Sequence, residues 1–360
     1  MTKYARLALI GLIVVLITLS FLAEWETDRW WVRYWDYPRL QVAALLVIAG
    51  SGLFLVKLKR SRGFWALIAG VGAALAWQVS HFLAYLPLYP KEVASAASCP
   101  AGRQVSMLNA NVLMSNRDYP ALLKLVAERN PDVLLLLEPD VDWAKAIAPL
   151  APTYPFRLSA PVPNTYGMIL LSRLPMQGRI QYRLQGGVPS AKALVTLTGG
   201  QQIMLHALHP EPPWPGDDSG ELDAELVMVG REVRNDGRAA VVMGDLNDVA
   251  WSRTSKLFKR VAGMGDPRIG RGFYPTFDAS KPLLRWPLDH LFVSPHFEMI
   301  EIDRLRDIGS DHFPIFFRLC LKDQARERQV APNASAATEA EASEEIGEGR
   351  KEKRAEDRGE

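Results

Sequence analysis

The chain has 360 residues, 48% of them hydrophobic and 23% charged, which at about 150 residues per domain allows two folded regions at most and excludes fibrous classes. Its 42 Lys and Arg against 40 Asp and Glu give a formal charge of +2, so no global electrostatic bias marks a nucleic-acid binder. Two cysteines, Cys99 and Cys320, are too few for a disulfide-dense scaffold and have no metal-ligand spacing, which excludes a structural zinc site. The average hides segregation: residues 1–100 carry 10 basic and 5 acidic side chains, 101–322 carry 25 and 24, and 323–360 carry 7 and 11.

Residues 7–23 and 40–56 are 17-residue runs without a charge, and 64–86 are 23 residues whose strongly polar members are Gln78 and His81. At about 1.5 Å per residue, such runs are read as crossing a hydrocarbon core about 30 Å thick. Three transmembrane helices are therefore expected within residues 1–90. A cleaved signal peptide is the alternative for the first run, given Lys3 and Arg6, but no small-x-small site precedes Glu24 and two more runs follow. Lys57, Lys59, Arg60 and Arg62 crowd the second connection without an acid, which places it and the N-terminus in the cytoplasm and everything after Leu86 outside it. In the first loop Arg29, Arg33 and Arg39 are balanced by Glu24, Glu26, Asp28 and Asp36. Its Trp25, Trp30, Trp31, Tyr34, Trp35 and Tyr37 suit an interfacial belt rather than a recognition surface. His81, near a helix end with no acid in the spans, reads as a packed or interfacial histidine rather than part of a proton path.

After a linker at 91–102, apolar strand-like runs alternate with helical ones over residues 103–322. Strands are predicted at 104–112, 132–137, 167–171, 191–197, 203–208, 239–243, 290–293 and 313–319, and helices at 119–129, 219–234 and 253–261. Solid apolar runs of this length are strands covered on both faces, and about 220 residues of them suit one layered α/β domain. The tail, 323–360, is rich in Ala, Glu, Lys and Arg and has few aliphatics beyond Val330 and Ile346, so disorder is expected, with a charged helix as the alternative.

Polar residues recur where the strands stop: Asn111, Glu138, His209, Asp245 with Asn247, Asp289, and Asp311 with His312. Singly, each reads as a turn former or cap. Together they supply a hard oxygen ligand, a carboxylate and amide two residues apart, and an Asp able to orient a His, the donors of a Mg2+-assisted hydrolase. Residues 253–285 add Arg253, Lys256, Lys259, Arg260, Arg268, Arg271, Lys281 and Arg285 against Asp266 and Asp278. That excess suits a polyanionic substrate or an anionic membrane face; a solvated helix face is the plainer reading.

The strings LNANV (108–112), VLLLLEPD (133–140), LHPEP (208–212), MGDLND (243–248), LDHLFVS (288–294) and GSDHFPI (309–315) resemble, in order and spacing, the endonuclease/exonuclease/phosphatase superfamily over residues 103–321. The resemblance implies an α/β fold, a four-layer sandwich of two face-to-face mixed sheets flanked by helices, here preceded by the three transmembrane helices. It implies Glu138 as principal Mg2+ ligand, with Mn2+ as a substitute ion, Asn111 as its companion near metal and phosphate, and Asp311 as a second metal-side carboxylate. Asp245 resembles the residue that orients or deprotonates the attacking water. Asn247 resembles the one that steadies it, His312 with Asp289 the His and Asp pair, and His209 a further histidine near the phosphate. In that family the first and last strands are neighbours, which would bring Cys99 and Cys320 together at the end opposite the site. A disulfide is then expected in an oxidising compartment, with two unrelated thiols as the alternative.

The expected function is a membrane-anchored, Mg2+-dependent phosphoric ester hydrolase, phosphodiesterase or endonuclease-like. Its catalytic domain would lie outside the cytoplasm, in the periplasm if the cell is Gram-negative. The expected partner is a phosphate ester, nucleic acid or phospholipid headgroup, with no obligate protein partner. A sphingomyelinase-like headgroup phosphodiesterase or phosphatase is the alternative. A catalytically silent membrane module is a third reading, which the complete polar set argues against.

Overall fold

The N-terminal apolar runs fold as helices in the computed structural model, which describes residues 3–55, 60–322 and 334–358. The chain divides into two units, residues 1–86 with 213–219, and residues 87–212 with 220–360. In the first, α1 (Lys3–Leu22), α3 (Arg39–Leu55) and α4 (Arg62–Phe82) meet through Ile13, Leu16, Leu46, Leu53, Val71 and Ala74. Leu7, Val14, Ile48 and Leu55 are exposed on the outside of the same helices, so apolar side chains face both ways. Lys3–Leu22 and Arg62–Tyr85 are long and apolar enough to cross a membrane; Arg39–Leu55 brings the number to three if it and Trp30–Asp36, bent by 70°, count as one span. Trp30–Arg33 is α2. Arg39 is buried and donates to Asp36, Glu24 and Gln78. His81 Nε2 lies 3.2 Å from Glu24, an acid in the loop rather than in a span. Of the basic connection, Lys57 and Lys59 lie outside the described residues.

In the second unit, β1 (Gln104–Asn111), β2 (Val133–Leu137), β3 (Phe156–Ala160), β4 (Met168–Ser172), β10 (Phe297–Arg304) and β11 (Ile315–Leu321) form one sheet in the order β10-β11-β1-β2-β4-β3. The other is β5 (Met176–Tyr182), β6 (Pro189–Thr196), β7 (Gln202–Leu208), β8 (Ala240–Asp245) and β9 (Asp289–Val293), in chain order. Both are mixed: β1 with β2 and β7 with β8 run parallel, and their other pairings are antiparallel.

The two-residue period of a strand builds the layers. Val133, Leu135 and Leu137 of β2 face the other sheet and meet Leu205, Val241 and Leu291 in the central core. Leu134 and Leu136 face outward, under Leu122 and Leu125 of α5 (Tyr119–Arg129) and Trp143 of α6 (Val141–Ala146). The second sheet is covered by α7 (Gly220–Asp236) and α8 (Arg253–Ala262), whose Leu226, Val229 and Phe258 pack on Val242 and Phe292. Helix, sheet, sheet, helix is the four-layer order expected. The Asp118 side chain caps α5, and Asn130 ends it in the left-handed region at φ 48°.

Three regions differ from expectation. Residues 91–102, read as a linker, are fastened to the domain: Val93 is in the central core, Ala96 N–H donates to the Met299 carbonyl, and Glu92 accepts from Lys259 and from the Asp266 N–H. Strands β3, β5 and β10 were not predicted; all three are sheet edges with partly exposed faces, which breaks up the solid apolar run that marks an interior strand. The tail, read as disordered, contains α9 (Ala336–Arg358), whose Ala342 and Ile346 pack on Val227, Leu257 and Val261; residues 323–333 lie outside the described residues. Sparse aliphatics suffice because charge pairing supplements them: Glu339 meets Arg231 and Arg234, while Glu341 meets Arg253 and Arg260.

Cys99 and Cys320 form a disulfide with a Cα separation of 5.8 Å. The antiparallel pairing of β1 with β11 sets Gln104 opposite Cys320, at the end of the sheet away from Asn111.

Candidate active site

Each polar residue predicted to matter lies at one edge of the two facing sheets. Asn111 ends β1, Glu138 follows β2, His209 follows β7, Asp245 ends β8, Asp289 opens β9, and Asp311 and His312 precede β11. Asn111, His209, Asp245, Asp289 and His312 are buried, whereas Glu138, Asn247 and Asp311 are half-buried. Tight backbone turns bring them there. Gly244 sits against the Leu208 carbonyl at φ 144°, where a Cβ would lie 1.9 Å from that oxygen, so β8 can only approach β7 here through glycine.

His312 is held between two carboxylates. Its Nδ1 is 2.8 Å from Asp289 Oδ2 and its Nε2 is 3.4 Å from Asp245 Oδ2. Burial disfavours the imidazolium, but Asp245 and Asp289 outweigh it and lift the ring to about 10. Burial pushes Asp245 up to about 7 against the pull of His312. Asp289 is buried too, yet His312 holds its carboxyl below the usual range, and Asn109 Nδ2 donates to its second oxygen at 2.9 Å. The proton of this group therefore rests on His312, leaving Asp289 as the orienting anion and Asp245 poised near neutrality.

Glu138 is bridged to this group by Asn111, whose Nδ2 donates to Glu138 Oε1 at 2.8 Å and to Asp245 Oδ2 at 3.3 Å. Its amide oxygen accepts from the Leu113 N–H, so in this arrangement Asn111 serves Glu138 as a donor. Glu138 has φ 62°, and the Met114 N–H approaches its other oxygen at 3.3 Å. Burial raises Glu138, and the charge of Asp311 raises it further. Glu138 with the Asp311 carboxylate beside it is a donor set that a hard divalent cation would satisfy. Asp245, Asp289 and His312 form a second grouping that could hold a metal, with ligand atoms within 4.8 Å of one another.

Asn247, at φ 50°, donates from its N–H to Asp245 Oδ1 and from Nδ2 to the Pro210 carbonyl. His209 Nε2 is 3.9 Å from Asp245, beyond hydrogen-bond reach, and burial with the nearby charge of His312 pushes the ring down to about 3. It is a neutral histidine packed beside Tyr166, not an ion-pair partner. Sequence reasoning did not assign two supporting residues. Asn109 shares a strand face with Asn111 by the i, i+2 rule, which could have found it. Ser310, within the GSDH string, donates to the Asn111 carbonyl and accepts from the His312 N–H.

The basic excess at 253–285 is largely neutralised within the domain. Arg253 and Arg260 face α9, Lys259 meets Glu92, Arg268 meets Asp266 and Lys281 meets Asp278.

A two-sheet sandwich with an Asp–His–Asp group and a carboxylate pair at one edge defines a hydrolase-type α/β site. The chain belongs to the endonuclease/exonuclease/phosphatase family, whose model matches residues 108–312. Members of this family are generally metal-dependent phosphoesterases. Among solved structures it is similar to an endonuclease/exonuclease/phosphatase from Beutenbergia cavernae (19% identity, 61% of this chain and 72% of that one, TM-score 0.49). It is similar also to D. rerio TDP2 complexed with a single-strand DNA product (18%, 60% and 98%, TM-score 0.49) and to a beta toxin from Staphylococcus aureus (14%, 59% and 99%, TM-score 0.44). No curated protein matches the chain.

Proposed function

We propose that the chain is a membrane-anchored, divalent-cation-dependent phosphodiesterase acting outside the cytoplasm. The observation that carries this reading is the convergence of Glu138 and Asp311 on one side, and Asp245, His312 and Asp289 on the other, bridged by Asn111. Glu138 and Asp311 would hold Mg2+, or Mn2+ in its place, which supplies charge neutralisation for a phosphate ester. The cation is assigned there rather than to the grouping around His312, because both ring nitrogens of His312 already face carboxylates.

Asp245, near neutrality, takes the proton of an attacking water, and Asn247 orients that water from the same turn. His312, protonated and fixed by Asp289, donates from Nε2 to a phosphoryl oxygen that displaces its contact with Asp245; as the water oxygen bonds to phosphorus the P–O bond opposite it breaks, and the departing oxygen takes its proton from solvent. Neutral His209 lines the phosphate side. The apolar N-terminal helices favour a substrate at or near a bilayer, a phospholipid headgroup or envelope phosphodiester, and nucleic acid is the second reading. Full-length protein in detergent with Mg2+ is assayed against sphingomyelin, phosphatidylinositol phosphates, plasmid DNA, RNA and bis-p-nitrophenyl phosphate. Hydrolysis of at least one diester, abolished by chelator, is expected; inertness towards all of them would overturn the proposal.

A further inference from the structure

Behind the catalytic edge, on the face of β9 opposite Asp289, lies a buried polar chain that the reaction does not touch. Asp266 and Arg268 form a two-pronged ion pair, with Arg268 Nε 2.9 Å from Oδ1 and Nη2 2.9 Å from Oδ2. Arg268 Nη2 also lies 2.8 Å from His290 Nδ1, and His290 Nε2 lies 2.8 Å from the Asp248 carbonyl. Asp266, Arg268 and His290 are all within 1% of complete burial. Chemistry fixes the direction of every bond. A guanidinium has only donors, so His290 Nδ1 must accept; the ring proton then sits on Nε2 and is donated to the Asp248 carbonyl.

That carbonyl belongs to the turn that aims Asn247. Asn247 is in the left-handed region, and the next residue, Asp248, is gripped through its side chain by the Val249 N–H and by Ser252 at the start of α8. The bond from His290 attaches the far part of this turn to β9, the strand that carries Asp289; its near part is already held there by the pairing of Asp245 with Asp289 and by the Leu246 N–H, which donates to the Leu288 carbonyl. We propose that His290, with its tautomer set by the Asp266–Arg268 pair, is a positioning residue that holds the 247–249 segment against β9 and so aims Asn247 at the phosphate. This rests on the phosphodiesterase reading only for its effect on turnover. The geometric claim stands independently of it.

Two substitutions separate this role from simple packing. His290→Gln can keep a donor near the position of Nε2, and His290→Asn can keep an acceptor near the position of Nδ1 but loses the donor to Asp248. Full-length variants are compared by amide hydrogen exchange and by hydrolysis of bis-p-nitrophenyl phosphate. In His290→Asn, the amides of Asn247 and Val249 are expected to exchange faster while those of β1 and β2 keep wild-type protection. Its kcat should fall roughly 10- to 100-fold, the range for groups that orient active-site residues from behind, with KM within about threefold. His290→Gln should restore most of both. Unchanged exchange and kcat in His290→Asn would overturn the proposal. So would equal loosening of the whole domain in both variants, which would make His290 a core residue only. If wild-type protein hydrolyses nothing, the phosphodiesterase reading fails, and the exchange pattern alone still decides whether His290 holds the turn.

Discussion

Asp245 and His312 are both buried, yet burial raises the Asp245 carboxyl to about 7 while the flanking carboxylates lift the His312 ring to about 10, and that division is what lets one edge of the sandwich hold both a base and a donor. Replacing Asp245 by Asn or His312 by Ala should therefore lower kcat by about two to four orders of magnitude while the domain stays folded, checked by steady-state rates beside circular dichroism. Stability has its own pH dependence. Burial raises Glu225 of α7 from 4.5 to about 7, and its Oε2 has no hydrogen-bond partner among the described residues. A carboxyl raised in the fold binds its proton more tightly there than in the unfolded chain. Its contribution is whole below pH 4.5 and is lost as pH rises through about 7, a change on the order of 3 kcal/mol. Glu225→Gln should flatten the thermal midpoint across that window; an unchanged slope would contradict the assignment. At this scale most of the site was legible, because Asp245, Asn247, Asp289 and His312 sit in short strings at the ends or starts of strands. What was not legible was direction. The orientation of the Asn111 amide and the neutrality of His209 depend on neighbours 27 to over 100 residues away in the chain, through Glu138 and His312.

Among the elements, the strands buried along their length announced themselves, the edge strand β9 included, and the partly exposed edges did not. β2 is buried at all five positions, while β3 alternates between exposed and half-buried and β5 is largely open after Met176. An edge strand pairs on one side only and needs fewer apolar residues, so its pattern merges with that of loops. The same limit applies to α9, whose composition reads as solvated because its apolar contact is small, Ala342 and Ile346, and is supplemented by arginines on α7 and α8. Gly349 marks where it comes closest: a Cβ there would lie 2.4 Å from the Gly220 carbonyl. Gly349→Val should release α9, detected as faster exchange and earlier proteolysis within 336–358, and Ile346→Ala should weaken the same contact by about 2 kcal/mol. Wild-type protection of α9 in both variants would show that its packing matters little.

For the molecule as a whole, the disulfide and the apolar helices make linked demands on compartment. Cys99 and Cys320 are 221 residues apart in sequence, so their bridge closes nearly the whole catalytic domain, and its reduction should cost about 2 to 5 kcal/mol of stability. Such a bond persists in an oxidising space, which is what the proposed topology, with the basic second connection in the cytoplasm, requires of the catalytic domain. Reporter fusions after Gly63 and after Pro100 should accordingly report opposite sides of the membrane, cytoplasmic for the first; a cytoplasmic signal from both would overturn the three-span topology. The central claim is the chemistry at the sheet edge, and its most direct measurement is the rate of bis-p-nitrophenyl phosphate hydrolysis by the full chain in detergent with Mg2+, with excess chelator, and in Glu138→Gln. The account predicts turnover that needs the cation and falls at least about 100-fold in the variant, as loss of a ligand to a hard cation requires. Equal rates with and without cation, in wild type and variant alike, would contradict it.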